Sequence, residues 1–269
     1  MSANALFLYR FSSKNVASVP MAFLRSFCGR MKSFVDGFRV PARFVLIADN
    51  TPDNVGVVAE NTVLEAMGKN IDFSFDRVHT IVEDGNVRTM PDGTKTTKWQ
   101  PKHFTHFVTS MEKVRQYADN DSVIFFCEDD YLYHETALTK AFQMAMKHKG
   151  DFVSLYDGPS HYGDHLTVQA LRQDRPGYDL ELLHEFDHHW RTGDSACFTY
   201  IATLEALNRQ GNFFLGMTGD WGDSGLWKGM WMQRNSKLWT SVPSLVYHNN
   251  SLNFDNQYWG TLMSETLRS

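Results

Sequence analysis

The chain has 269 residues, long enough to bury a sizeable core and within the range of a single α/β domain. Hydrophobic residues make up 42% and charged residues 21%, ordinary for a soluble globular protein, and the net charge of −5 gives no general drive toward nucleic acid. No run approaches the roughly 18 apolar residues that cross a membrane, which excludes integral membrane contact.

In chain order, Ala5 to Phe11 reads as a first strand, and Met21 to Phe34 as a helix with Phe23, Leu24, Phe27 and Met31 near helical spacing. Arg43 to Ala48 is a second buried strand that ends at Asp49, with a short helix over Asn61 to Met67 and a third strand over Val78 to Val82. Glu83 to Gln100 carries Asp-Gly turn signals and reads as a hairpin or a loop. Pro101 starts a helix that runs through Phe107, Met111 and Val114. An apolar strand from Val123 then ends in Glu128, Asp129 and Asp130. A helix over Thr136 to Lys149 stops at Gly150, and Phe152 to Leu155 is another strand.

The pattern weakens after Ser160. Ala196 to Tyr200 reads as a strand, Ile201 to Arg209 as a helix, Asp220 to Met232 as another helix and Leu245 to His248 as a last strand, with an irregular tail from Asn249. No repeat or linker-like composition shift divides the chain, so a single domain over residues 1–269 is expected. The alternation of strand and helix predicts an α/β fold with a mostly parallel central sheet flanked by helices.

Three cysteines, Cys28, Cys127 and Cys197, fit no zinc spacing. They read as buried, reduced thiols, and with no signal-peptide layout they predict a cytoplasmic protein. Aromatic residues reach 14%, with 20 Phe, 10 Tyr and 7 Trp, a surplus that suits sugar or base stacking or simply fills a core.

The most informative stretch is the run from Val123 to Tyr131. Three adjacent acids repel one another and are poor strand residues, so a buried strand tip that carries them needs a compensating cation. In open α/β sheets, ligands bind just beyond the carboxyl ends of the strands, where one or two carboxylates plus substrate phosphates suit a hard divalent ion. The alternative for this tip is a solvated acidic turn.

Glu128-Asp129-Asp130 resembles the Asp-x-Asp signature of GT-A glycosyltransferases, with Glu in place of the first Asp, and the order of elements resembles that family across most of the chain. The resemblance implies a divalent ion, Mn2+ or Mg2+, at Asp130 and Glu128, with Glu128 and Asp129 toward the ion or the donor ribose. His248, after a late strand, resembles the histidine that completes such sites. Gly219-Asp220-Trp221-Gly222-Asp223 resembles the Glu-Asp-Trp segment of the inverting members, with Gly219 where they carry Glu, and implies Asp220 as general base with Asp223 second; helix capping is the competing account. By the same resemblance Tyr9 or Phe11 stacks on the nucleotide base, Arg10 meets phosphate and Asp49 accepts a hydrogen bond from the base. Lys102 is a candidate diphosphate contact, with a solvated loop as the alternative.

His161, His165, His184, His188 and His189 lack the spacing of a helical metal site and, under the resemblance, line an acceptor pocket, with Trp190, Trp221 and Trp227 as a sugar-stacking platform or core. The implied protein moves a sugar from a nucleotide diphosphate sugar to a glycan or other hydroxyl acceptor, with residues 1–130 for donor and metal and 131–269 for the acceptor. A nucleic acid acceptor is conceivable but has no support in the composition. Two alternatives are a nucleotidyltransferase of similar core and a non-catalytic sugar- or nucleotide-binding module. The first usually shows a glycine-rich loop after strand one, and Phe11-Ser12-Ser13-Lys14-Asn15 has no glycine.

Overall fold

The computed structural model describes residues 4–13, 19–69, 72–80, 87–89, 95–97, 101–157, 181–193, 196, 199–210, 236–249 and 257–268, with backbone alone at 87–89, 95–97, 101–106 and 257, 258, 260, 267 and 268. Its elements begin with β1 (Asn4–Phe11), α1 (Val19–Phe38), β2 (Ala42–Asp49), α2 (Asp53–Met67) and β3 (Phe73–Thr80). A small hairpin, β4 (Val87–Thr89) and β5 (Lys95–Thr97), precedes α3 (Pro101–Tyr117), β6 (Ser122–Glu128), β7 (Tyr131–Tyr133), α4 (Ala137–Lys147) and β8 (Phe152–Ser154). Then come β9 (Leu182–Glu185), β10 (His188–Thr192), β11 (Tyr200–Thr203), α5 (Leu204–Gln210), β12 (Leu238–Val242), β13 (Val246–His248) and α6 (Gln257–Arg268).

Nine of the described strands form one sheet in the order β3-β2-β1-β6-β11-β8-β12-β10-β9. β3, β2, β1 and β6 are parallel neighbours, and β8 and β12 pair parallel. Only β11 and β10 run against the rest among the described strands, so the sheet is mostly parallel, as the βα alternation predicts. A parallel strand covered on both faces has no solvent side, which is why β1, β2 and β6 read as continuous apolar runs.

Alternation along these strands splits the core in two. Phe7 and Tyr9 of β1, Phe44 and Leu46 of β2, and Phe125 and Cys127 of β6 face α1, α2 and α4. Leu6 and Leu8, Val45 and Ile47, and Ile124 and Phe126 face α3 and α5. The first face is aromatic: Phe7 stacks on Phe125 at 4.6 Å, and Phe27 meets Tyr9 and Tyr133 at 4.9 Å each. Much of the aromatic surplus therefore fills the core.

Several elements differ from expectation. β3 begins at Phe73 rather than Val78, because Phe73 and Phe75 alternate with Ser74 and Asp76 on a half-buried edge. β7, β9, β10 and β12 were not foreseen; they are three to five residues long and rich in Ser, Thr, His and Tyr, with no apolar run to mark them. β11 starts at Tyr200, where a strand was expected to end, and α5 follows from Leu204. The tail is helical over α6, where Trp259 packs with Phe23 and Leu132. The expected helix over 220–232 lies outside the described residues.

Cys28 and Cys127 are buried and free of any disulfide. Burial pushes both thiols up to about 12, so neither is a reactive nucleophile. Cys197 lies outside the described residues.

Candidate active site at the carboxyl edge of the sheet

The strand parity that splits the core also assembles the site. On β1, Arg10 follows Leu6 and Leu8 on the α3 face; on β6, Glu128 follows Ile124 and Phe126; on β2, Asp49 follows Val45 and Ile47. Arg10 and Glu128 are register partners across β1 and β6, and Phe11 pairs with Ala48, one residue before Asp49. One arginine near the carboxyl end of β1, which lies between β2 and β6, is thereby set between two carboxylates. Arg10 donates from Nε at 3.1 Å and Nη2 at 2.9 Å to Asp49 Oδ2, and from Nη1 at 3.3 Å to Glu128 Oε1. Arg10 is 7% exposed and Asp49 fully buried. A buried guanidinium and carboxylate are tolerable only when paired this way.

The three acids at the tip of β6 diverge, which resolves their repulsion. Glu128 goes to Arg10. Asp129 turns back toward β1, where the Ser12 backbone N–H donates to its Oδ2 at 2.7 Å and Ser12 Oγ lies 3.4 Å away. Burial raises the Asp129 carboxyl to about 6, against the opposing effect of the Ser12 N–H. Asp130 points to β13, and its Oδ2 lies 3.0 Å from His248 Nε2.

The backbone brings those last two residues together. β7 and β13 form an antiparallel pair in which His248 faces Tyr131, and Asn249 N–H donates to the Asp130 carbonyl at 2.9 Å. The Tyr131 ring lies flat on the imidazole at 4.6 Å and 11°, and Tyr156 meets it edge-on at 5.6 Å. Two rings thus fix the plane of His248.

Whether these residues suit a divalent ion can be tested on the donors themselves. Asp130 Oδ1 is buried and has no hydrogen-bond partner among the described residues, although the residue's other oxygen meets an imidazole. A carboxylate with one orphaned oxygen beside an imidazole nitrogen is a chemically apt pair for Mn2+ or a similar ion. Among the described residues, no group of three acid, thiol or imidazole side chains is gathered around one point. Glu128, expected at the ion, is turned to Arg10 instead, so the described residues offer two ligand side chains, a number that suits an ion completing its shell with phosphates and water.

No protein-family model matches the sequence, and no curated protein matches it. Solved structures do match. The galactosyltransferase LgtC, in complex with donor and acceptor sugar analogues, is similar over 98% of this chain and 95% of its own, with a TM-score of 0.51 at 12% identity. The chain has the GT-A fold. Two further similar structures are glucosyl-3-phosphoglycerate synthase from Mycobacterium tuberculosis in complex with phosphoglyceric acid (TM-score 0.49, 12% identity, 98% of this chain and 79% of that one) and mouse xyloside xylosyltransferase 1 in its apo form (TM-score 0.44, 11% identity, 88% and 85%).

Within the GT-A fold the expected site residues fall into three groups, apart from His184, His188 and His189, which lie on β9 and β10 at the far end of the sheet. Arg10, Asp49, Glu128, Asp129, Asp130 and His248 all lie at the carboxyl edge of the sheet or on β13 beside it, but Asp49 is fully buried against Arg10 and so is not open to the base it was expected to meet. Tyr9 and Phe11 do not join them: both are fully buried on the opposite, α1 face, so their rings belong to the core and are closed to a nucleotide base. Trp190, expected as a stacking platform or core, is also fully buried. Lys102 sits in the first turn of α3 with its side chain outside the described residues, and Asp220, Asp223, Trp221, Trp227, His161 and His165 lie outside them altogether.

Tyr131 and Tyr156, which hold His248, were not singled out. Nor was Asp157, fully buried after β8 and bound to Arg191 Nη2 at 2.5 Å. Asp157 has the same signature as Asp49, an acid just past an apolar strand, and that is the signal by which it was open to recognition. Among the described residues, no helix is long and apolar enough to cross a membrane.

Proposed function

We propose that this protein is a glycosyltransferase that moves a sugar from a nucleotide diphosphate sugar to the hydroxyl of a glycan or other acceptor. The observation that carries the reading is the meeting of Asp130 and His248, 118 residues apart in sequence, at the carboxyl edge of a GT-A sheet with one Asp130 oxygen left unpartnered among the described residues. Asp130 and His248 would hold the ion, Mn2+ or Mg2+. When bound, that ion supplies positive charge against the diphosphate leaving group.

Arg10, held by Asp49 and Glu128, places a fixed cation at the end of β1 on the donor side. Asp49 and Glu128 screen its charge, so its role is to order the strand tips as well as to face the donor. Asp129 fixes Ser12 at the start of the loop that follows β1. Asp220, with Asp223 as second choice, is the proposed base. It would take the proton from the acceptor hydroxyl as that oxygen bonds to the anomeric carbon. The bond from that carbon to the diphosphate breaks with its electron pair on the leaving oxygen, with inversion at the sugar. The free, buried thiols of Cys28 and Cys127 favour a reducing compartment, and the cytoplasm is the proposed location.

The direct assay is release of nucleoside diphosphate from a panel of nucleotide sugars with Mn2+, for the natural protein, Asp130→Ala and Asp220→Asn. Release that both substitutions abolish supports the reading. Pyrophosphate release from a sugar phosphate and a nucleoside triphosphate would make the protein a nucleotidyltransferase instead. Tight sugar or nucleotide binding without turnover, unchanged in Asp130→Ala, would make it a binding module.

A further inference from the structure

We propose that His184 and His189 form a two-point site for a borderline divalent cation of the Zn2+, Ni2+ and Cu2+ group, separate from the carboxylate site and independent of the transferase reading. The two histidines are direct cross-strand partners in the β9–β10 hairpin. Phe186 and Asp187 form its two-residue turn, and both take left-handed backbone conformations, φ 56° and 52°, as a type I′ turn demands. Glu185 and His188 flank that turn. A two-residue turn closes on a hydrogen-bonded pair, so the next pair, His184 and His189, is the kind in which side chains stand closest. Their ring centroids are 4.7 Å apart with the planes at 58°.

The hairpin is rigid where it matters. Lys140 Nζ donates to the carbonyls of both turn residues, Phe186 and Asp187, at 2.9 Å each. Trp190 Nε1 donates to the Glu185 carbonyl at 3.2 Å, and Trp190 and His188 are buried on the reverse face. The backbone that carries the imidazole pair is therefore fixed, which leaves a ligand only the ring torsions to order. Both rings are exposed, leaving coordination positions open to water. Arg191, next along the same face, sends Nη2 to Asp157 Oδ1.

Neutral imidazole is a good ligand for zinc, nickel and copper, whereas magnesium and manganese favour oxygen. The chain would thus carry two sites of different preference: Asp130 with His248 at the sheet edge, and an all-nitrogen pair on the hairpin. Two protein ligands predict modest affinity.

The test is calorimetric titration of the full chain with Zn2+ in excess Mg2+, comparing the natural protein, His189→Asn and the double variant His184→Asn/His189→Asn. The expected result is one Zn2+ fewer in the double variant and roughly 100-fold weaker binding at that site in the single one, because the two imidazoles act as a linked pair. In parallel, proton NMR of the natural protein should show the His184 and His189 ring signals shifting first at sub-stoichiometric Zn2+, a readout that needs no variant to fold. Identical Zn2+ isotherms for natural and double-variant protein, or ring signals of other histidines moving first, would overturn the proposal. So would the absence of any Zn2+ binding.

Discussion

Arg10 meets Asp49 with two nitrogens on a single oxygen, Nε at 3.1 Å and Nη2 at 2.9 Å, and Glu128 with a third at 3.3 Å. The Asp49 side chain is fully buried, so it has no solvent-facing side to offset a lost partner. Arg10→Ala should therefore destabilise the protein by about 3–5 kcal/mol by stranding a buried carboxylate. The exposed pair Lys32–Asp36 on α1 is the internal control, and Asp36→Ala should change stability by less than about 0.5 kcal/mol. Guanidinium chloride unfolding of both variants checks this. Equal effects would mean that Arg10 is far more solvated than its 7% exposure indicates.

Asp129 predicts a slope in stability with pH. Its carboxyl sits at about 6 in the folded protein against 3.8 when unperturbed, so between those values the folded state holds the extra proton. The stability this contributes is complete below about 4 and is lost as pH rises through about 6. The difference is on the order of 3 kcal/mol. Asp129→Asn should flatten that segment of the curve in metal-free buffer, measured by unfolding at closely spaced pH values. A curve for Asp129→Asn that parallels the natural one would contradict the assignment.

The aromatic core predicts one large, purely structural effect. Phe27 is 1% exposed and touches the rings of Phe7, Tyr9, Phe44 and Tyr133. Phe27→Ala should cost about 3–5 kcal/mol, because four packed rings cannot collapse into the space it leaves. Thermal unfolding measures it, and a cost under about 1 kcal/mol would mean a core that repacks freely.

The parts of this fold that were legible in the sequence are those buried on both faces. β1, β2 and β6 are largely apolar runs with Arg10, Asp49 and Glu128 at or next to their carboxyl ends, and the GT-A resemblance drawn from their order agrees with the observed fold. The short strands β7, β10 and β12 were not legible, because Tyr, His, Ser and Thr become strand residues there only through partners far along the chain, and β9 was missed because its two-residue turn to β10, Phe186-Asp187, carries no glycine or asparagine to mark it. Side-chain direction was the other gap. Tyr9 and Phe11 lie beside Arg10 in sequence but alternate to the α1 face with Phe7, a consequence of period two that could have been drawn from the strand itself. That Arg10 reaches both Asp49 and Glu128 required the order β2-β1-β6, which no single run of residues contains.

In the proposed function, Asp130 and His248 would hold a divalent ion that receives a nucleotide diphosphate. The measurement that meets it most directly is the melting temperature of the protein with UDP, GDP, CMP or TDP, each with and without Mn2+. At ligand concentrations near a hundred times Kd, binding to the folded state should raise the melting temperature by roughly 5 °C. The expected result is a rise with one nucleotide diphosphate that requires Mn2+ and disappears in Asp130→Ala. If no nucleotide shifts the melting temperature under any metal condition, the ion and donor assignments fall together, and the acids at the end of β6 are a solvated strand tip.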